Sequence, residues 1–470
     1  MTLREILTEL TSELIRIHSV DFDWSEISFP EFSTDKNGYQ VHFSNKSKEL
    51  ILALAEITLQ NLDNSNRKID IKKLTSITRQ IITNFFASDR LIDYIKTEDV
   101  SEKKVIENEF KKEIVRIIEL NTLAITHHYA ANTIFLHNHQ TLKIGTVEIA
   151  SRETWIKNNE FSDDFLKRYR IEKEKNLNWK NDLLLLLENK EVLDASKLAD
   201  DLYHFLKDCH SVLSVKIDYY ERDQSSKLGK IICKTALDSV SLFIGDKRSF
   251  HTNILFEDKK NPDIYNIVKS VDGFLTQTGF SFSERTPGRP GEYYINKLKK
   301  HQNIVDSFGF IISGLTHPDS HSHPHLANRW ATSLEWYSEA QRESNNAIAL
   351  AKFGTALDIL SCGGQSGGIT DMICNLLSVG KGTRVSNGLR LKDHIEHLYK
   401  HGRSQILHGN HVERLQSFER DCNDAAYLTR LALLCCAERF HHYNGKDEQK
   451  AFRTMPAPQK NGDGMATQVD

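Results

Sequence analysis

The sequence predicts a mainly α protein, with a four-to-five-helix bundle at the C-terminus and, before it, a mostly helical region with a few short strands. Three observations predict this. Apolar residues recur at one-face helical spacing over Leu50–Ala55, Ile71–Ile82 and Val105–Ile125. The same periodicity returns from Arg329 to Phe440. Clean strand-like alternation is confined to Thr141–Ile149, around Gly145.

Taken in order, residues 1–140 form an N-terminal helical region, punctuated by turns at Phe29-Pro30 and Lys36-Asn37-Gly38. Residues 141–315 form a middle α+β region opened by the Thr141–Ile149 strand pair. Five consecutive leucines within Asn181–Glu188 start a buried helix. Val212–Tyr220 and Ser239–Ile244 fit either strands or buried helices. Ser283–Gly291, with its prolines and glycines, is a loop, and a boundary falls near 315. Residues 316–443 form the bundle, with helices over Arg329–Cys362, Ile369–Val379, from about Leu389, and over Val412–His442. The tail, 444–470, is polar, carries Pro456, Pro458, Gly462 and Gly464, and is expected to be disordered.

A chain of 470 residues exceeds one core and implies two or three domains. The net charge of −3 excludes a general nucleic-acid binder, so any such contact needs a local patch. Seven cysteines without a Cys-x-x-Cys pair argue for a reducing compartment and against a disulfide framework. No apolar run approaches the roughly 18 residues of a membrane span. The start, Met1-Thr2-Leu3-Arg4-Glu5, lacks a signal-peptide core. The expectation is a cytoplasmic protein with no membrane partner.

One heptad combines the residue types of phosphodiester chemistry: Arg403-Ser404-Gln405-Ile406-Leu407-His408-Gly409. The planar guanidinium of Arg403 matches phosphate oxygens. His408 can give and take protons near neutral pH. RNA carries its own nucleophile, the ribose 2′-hydroxyl, so an enzyme using it needs no metal cofactor. Such an enzyme removes that proton, stabilises charge on phosphate and protonates the leaving 5′-oxygen. Ser404 either binds phosphate, caps a helix start or faces solvent. Asp358 either orients Arg403 or His408, or is a buried acid with some other base. Tyr399 reads as packing. From Lys381 to His411, six bases face two acids, a local balance of +4. Arg384, Arg390, Lys392 and Lys400 are the candidate RNA contacts there.

The C-terminal third resembles the HEPN superfamily, and within it the ApeA-like HEPN domains of bacteria. The resemblance rests on Trp336-Tyr337-Ser338-Glu339-Ala340, on Ala356-Leu357-Asp358-Ile359-Leu360, and on Leu391–Tyr399 leading into the Arg403–Gly409 heptad. It covers roughly residues 325 to 443. The family's signature is an arginine, a polar residue and a histidine after a gap of four to six residues, met here with four. The resemblance implies a helical domain that forms a homodimer, with two motifs facing each other. It implies a metal-independent endoribonuclease, often aimed at tRNA, with Arg403 and His408 catalytic. A paired second His408 would let one imidazole act as base and the other as acid. Placement before such a domain looks like anti-phage defence or toxin effectors, answering a phage or host trigger. Inactive relatives are nucleotide- or partner-binding scaffolds, the alternative reading.

Helix geometry adds a constraint. Five positions turn an ideal helix by about 500°, leaving the two side chains roughly 140° apart. Either Gly402 interrupts the helix and Arg403 begins a new one, or the arginine reaches round. Three further segments compete for attention. His317–His325 is histidine-dense and offers zinc-type donors, but its prolines make it a loop. Gly363–Thr370 mimics a phosphate loop without its lysine and reads as a connection between helices. Gly288-Arg289-Pro290-Gly291 has the form of a backbone-clamping GXXG loop, making Arg289 a further candidate RNA contact.

Overall fold

The computed structural model describes residues 1–26, 31–62, 68–136, 140–173, 176–192, 195–258, 264–272, 274–282, 289–385, 388–409 and 416–458. It is mainly helical, with a few short strands. The expected turn at Phe29-Pro30 and most of the Ser283–Gly291 loop lie outside the described residues. No single helix is long and apolar enough to cross a membrane among the described residues.

The chain divides into two compact units, which are not the contiguous blocks that the sequence suggests. The first comprises residues 1–126 and 216–228. It holds α1 (Leu3–Ile17), a hairpin of β1 (Glu31–Thr34) and β2 (Gln40–Phe43), α2 (Asn45–Leu62), α3 (Ile71–Ala87), α4 (Arg90–Lys96) and α5 (Val100–Asn121). A capping box between Thr2 and Glu5 starts α1. Asp70 and Asp99 cap α3 and α5 by accepting backbone N–H bonds. The apolar faces of these helices meet in one core that includes Leu10, Leu14, Ile51, Ile81 and Phe110. α5 stops at Asn121, so Ile125 belongs to a strand rather than to the expected Val105–Ile125 helix.

One histidine in this unit has both ring nitrogens engaged. His18 Nδ1 lies 2.8 Å from the Leu14 carbonyl, and Nε2 accepts the His42 backbone N–H at 3.1 Å. The ring is therefore neutral with its proton on Nδ1. Burial, with His42 nearby, holds its pKa below the usual 6.5. A basic group so shifted stabilises the fold fully above its unfolded pKa and loses that contribution as pH falls through the folded value. The cost of His18→Gln, read as lost melting temperature, should therefore shrink between pH 7.5 and pH 5. An unchanged cost over that interval contradicts this account.

The second unit comprises residues 127–215 and 229–470. Its sheet uses β3 (Ile125–Asn132), β4 (Thr141–Ile144), β5 (Val147–Ser151), β6 (Ser211–Ile217) and, later in the chain, β7 (Ile254–Leu255), in the order β4-β5-β6-β3-β7. The expected strand pair around Gly145 is β4 and β5, and Val212–Ile217 settles as strand. Between β5 and β6 lie α6 (Arg152–Asn158), α7 (Asp163–Arg168), α8 (Trp179–Leu187) and α9 (Lys197–Leu206). The leucine run lies in α8, with only Leu183 fully buried. Ser239–Ile244 is the end of α10 (Arg222–Ile244), which is followed by α11 (Lys247–Thr252). A hairpin of β8 (Ile264–Val271) and β9 (Phe274–Phe282) precedes α12 (Gly291–Lys300).

The bundle follows: α13 (Gln302–Thr316), α14 (Pro324–Gln341), α15 (Asn346–Leu360), α16 (Gln365–Leu377), α17 (Leu391–His397), α18 (Gln405–Leu407) within the heptad, and α19 (Glu419–His441). The expected boundary at 315 cuts through it, because α13 packs Phe308 on Trp330 and Phe310 on Phe440. The boundary at 140 fails because β3, which precedes it, pairs with β7 and shares one sheet with β4 and β5. The β4–β5 turn lies so close to α13 that a Cβ on Gly145 would sit 2.5 Å from the Gly309 carbonyl oxygen. At φ +56°, Gly145 is also in the left-handed region that favours glycine. The expected Arg329–Cys362 helix is broken between α14 and α15, where Asn345 accepts the N–H groups of Ala347 and Ile348. The last expected helix begins at Glu419 rather than Val412.

Residues 444–458 are not a disordered tail. Phe452 is wholly buried, with Ala451 and Met455 beside it in the chain also buried. Asp447 accepts the N–H groups of His325 and Leu326 at 2.9 and 3.0 Å, capping α14 from far along the chain. Arg453 donates to the carbonyls of Ser361, Cys362 and Gly363, at the end of α15. From α19, Arg439 closes the end of α16 through the Asn375 and Leu376 carbonyls, and Arg430 does the same for α10 through Leu242 and Phe243. Residues 459–470 lie outside the described residues.

Candidate functional site

The heptad lies across α15. Leu350, Gly354 and Asp358, four apart, form one stripe of that helix. Gly402 rests on Leu350, where an added Cβ would meet the leucine side chain at 2.7 Å. The stem of Arg403 rests on Gly354, whose added Cβ would fall 2.8 Å from the arginine Cβ. One turn on, Asp358 Oδ2 lies 3.0 Å from Arg403 Nη2. Two glycines thus give the motif its closeness, and one acid meets its charge. Gly402→Ala should overpack this contact at a cost of about 1–3 kcal/mol. Equilibrium urea unfolding of the variant checks it, and wild-type stability would contradict the packing argument.

The helix is not interrupted at Gly402, and Arg403 does not begin a new one. Leu398–Ser404 is instead a π-helical stretch, closed by the Gln405 N–H on the Lys400 carbonyl. Its wider ring changes how each residue advances around the axis. Arg403 thereby points at α15. Its Nη1 donates to the Tyr399 hydroxyl at 2.7 Å, and the guanidinium lies 5.2 Å from that ring's centre. Tyr399, read from sequence as packing, is thus a direct partner of the arginine. Asp358 orients Arg403, not His408. Arg403 Nε and Asp358 Oδ1 are enclosed without hydrogen-bond partners.

His408 is placed differently. It is the residue at which α18 ends, and its N–H bonds to the Ser404 carbonyl at 3.0 Å. Gly409, at φ +69°, then takes the left-handed turn that stops the helix. The imidazole is exposed and has no partner among the described residues. Ser404 makes no capping bond with its side chain, which removes one of its three expected roles.

The expected basic patch is only partly free. Lys400 pairs with Glu396 at 2.5 Å, and Lys381 with Asp371 at 2.6 Å. Arg384 and Arg390 face each other across an isolated bridge, and with Lys392 they are exposed and have no ion pair among the described residues. Arg289 stacks 5.7 Å over Tyr293 at the start of α12, with no contact to the heptad among the described residues.

The competing segments have structural explanations. His321 accepts the His323 N–H and packs on Phe310, while the buried His323 meets the Gly445 carbonyl at 2.7 Å. His325 offers its backbone to Asp447. Among the described residues, no three His, Cys, Asp or Glu side chains gather as a metal site. In the glycine-rich connection, Cys362, Gly363, Gly364 and Gln365 all have positive φ, and Arg453 fills the turn. The segment that resembled a phosphate cradle is occupied by the chain's own guanidinium. Comparison with protein-family models, curated proteins and solved structures returns no match for the chain.

Proposed function

We propose that the chain is a metal-independent endoribonuclease of the HEPN kind, cleaving RNA, tRNA foremost, and acting as an anti-phage defence or toxin effector. One contrast carries this reading. Arg403 is held in place by Asp358 and Tyr399, while five residues on His408 is exposed and without a partner among the described residues. A fixed cation and a free imidazole are what phosphate binding and proton transfer require. A homodimer supplies the second His408 needed on the opposite side of an in-line displacement. The 2′-hydroxyl attacks phosphorus, the 5′-oxygen leaves, and the products are a 2′,3′-cyclic phosphate and a 5′-hydroxyl. The exposed Arg384, Arg390 and Lys392 hold the backbone. Residues 1–315 recognise the RNA or restrain the nuclease until a phage or host trigger arrives.

A second reading is a non-catalytic scaffold that binds a nucleotide or partner. Its support is also at Arg403, since a carboxylate already neutralises the guanidinium. Incubating the purified full chain with total tRNA in excess EDTA separates the two. Cleavage that survives EDTA and disappears in both Arg403→Ala and His408→Ala supports the nuclease. Activity that needs metal, or persists in both variants, rules it out. A strictly monomeric and fully active protein rules out the composite site.

A further inference from the structure

The break between α14 and α15 opens a cavity of about 330 Å³ that the motif does not use. That volume is in the range of small-ligand sites. Lys234 comes to it from α10, Glu339 from α14, Arg342 and Glu343 from the break, Lys352 from α15, and Asp258 from the turn after β7. Every lining side chain is polar or charged.

The charges largely answer one another. Lys234 bonds to Glu339 at 2.9 Å and Lys352 to Glu343 at 2.9 Å. Arg342 donates Nη2 to the buried Asp238 and Nε to the Phe250 carbonyl. Two buried atoms make no hydrogen bond: Oδ2 of Asp258, an acceptor, and Nη1 of Arg342, a donor that lies 3.5 Å from Glu339 Oε1 as an ion pair. Asp258 is close enough for its charge to act on Arg342. Burying polar atoms without hydrogen bonds is unfavourable, and a ligand that supplies both bonds removes that cost. The long side chains of Lys234 and Lys352 are 22% and 24% exposed, so rotation of their stems gives access.

We infer that this cavity binds a small neutral ligand with adjacent hydroxyls, the chemistry shared by a free monosaccharide and the ribose of a nucleoside. Three lining cations balance three lining acids, with Asp238 behind them, so no uncommitted cation awaits a phosphate. The lining offers no aromatic or aliphatic side chain on which a base would stack. A hydroxyl both donates and accepts, so neighbouring hydroxyls satisfy Asp258 and Arg342 together. The inference is independent of RNA cleavage.

Calorimetric titration of the full chain with ribose, glucose, adenosine and 2′,3′-dideoxyadenosine tests it. At least one hydroxylated ligand should bind at millimolar concentrations or below. Binding of ribose or glucose identifies the free-sugar source, and binding of adenosine alone identifies the nucleoside. Removal of both ribose hydroxyls should weaken adenosine-type binding by about tenfold or more. Asp258→Ala should weaken any hydroxylated ligand by a similar factor at unchanged melting temperature. No binding by ribose, glucose or adenosine overturns the proposal, as does adenosine-type binding indifferent to the hydroxyls, or unweakened binding by folded Asp258→Ala. Should that variant fail to fold, the binding pattern of the wild-type protein decides.

Discussion

If the proposed nuclease reading holds, Arg403→Ala and His408→Ala should each lower tRNA cleavage by about a thousandfold or more. Positioned proton transfer contributes typically about 10²–10⁴-fold, and one fixed charge-stabilising group about 10²–10³-fold. On the proposed mechanism the two act in one step, so the double variant should be little worse than either single one. Arg403→Ala also strands Asp358, whose Oδ1 already has no partner. Its melting temperature must therefore be measured alongside its rate. Arg403→Lys separates the effects. It keeps a charge for Asp358 but loses the planar fork, so it should fold and remain largely inactive. Initial rates on end-labelled tRNA check all four variants. Wild-type rates in His408→Ala would remove the proposed chemistry altogether.

Phe452→Ala should destabilise the second unit by about 3–5 kcal/mol, the range for emptying a fully buried aromatic site. Phe452 is wholly buried against Phe440, at 5.7 Å between ring centres. Removing 444–470 should be worse, since Asp447, Arg453 and the Met455 carbonyl leave with it. Their losses uncap α14, free the carbonyls at the end of α15 and leave buried Arg439 without one of its acceptors. Urea unfolding followed by circular dichroism measures the first, and soluble yield the second. A Phe452→Ala variant within about 1 kcal/mol of wild type would mean that the segment packs only loosely.

What could be read from the chain was local. Helical periodicity located α2 and α3, a run of leucines located α8, and alternation around a glycine located β4 and β5. What escaped depends on residues far apart in sequence. Nothing near Asn444 announces that Asp447 meets the start of α14, or that Arg453 fits the turn after α15. Gly145 and Gly309 look ordinary until their backbones meet. At the motif, Arg403, His408 and Asp358 were legible from residue type and from one acid among aliphatics. The π turn was not, since it arises from packing against α15. A sharper signal was present in Gly354 and Asp358, four apart on one face, which marks a groove with an acid at its end.

The arginine clasps of Arg430, Arg439 and Arg453 carry a consequence for biosynthesis. Each belongs to a part of the chain translated after the helices whose ends it closes. Chains fold as they emerge, earlier segments first. While only residues up to about 418 have emerged, α10, α15 and α16 have open C-terminal ends and the bundle lacks its longest helix. The heptad, already synthesised, then has no finished scaffold beneath it. A ribosome making this protein would carry an unassembled site until the closing segments were released, so the nuclease proposed above would act only after those segments had folded.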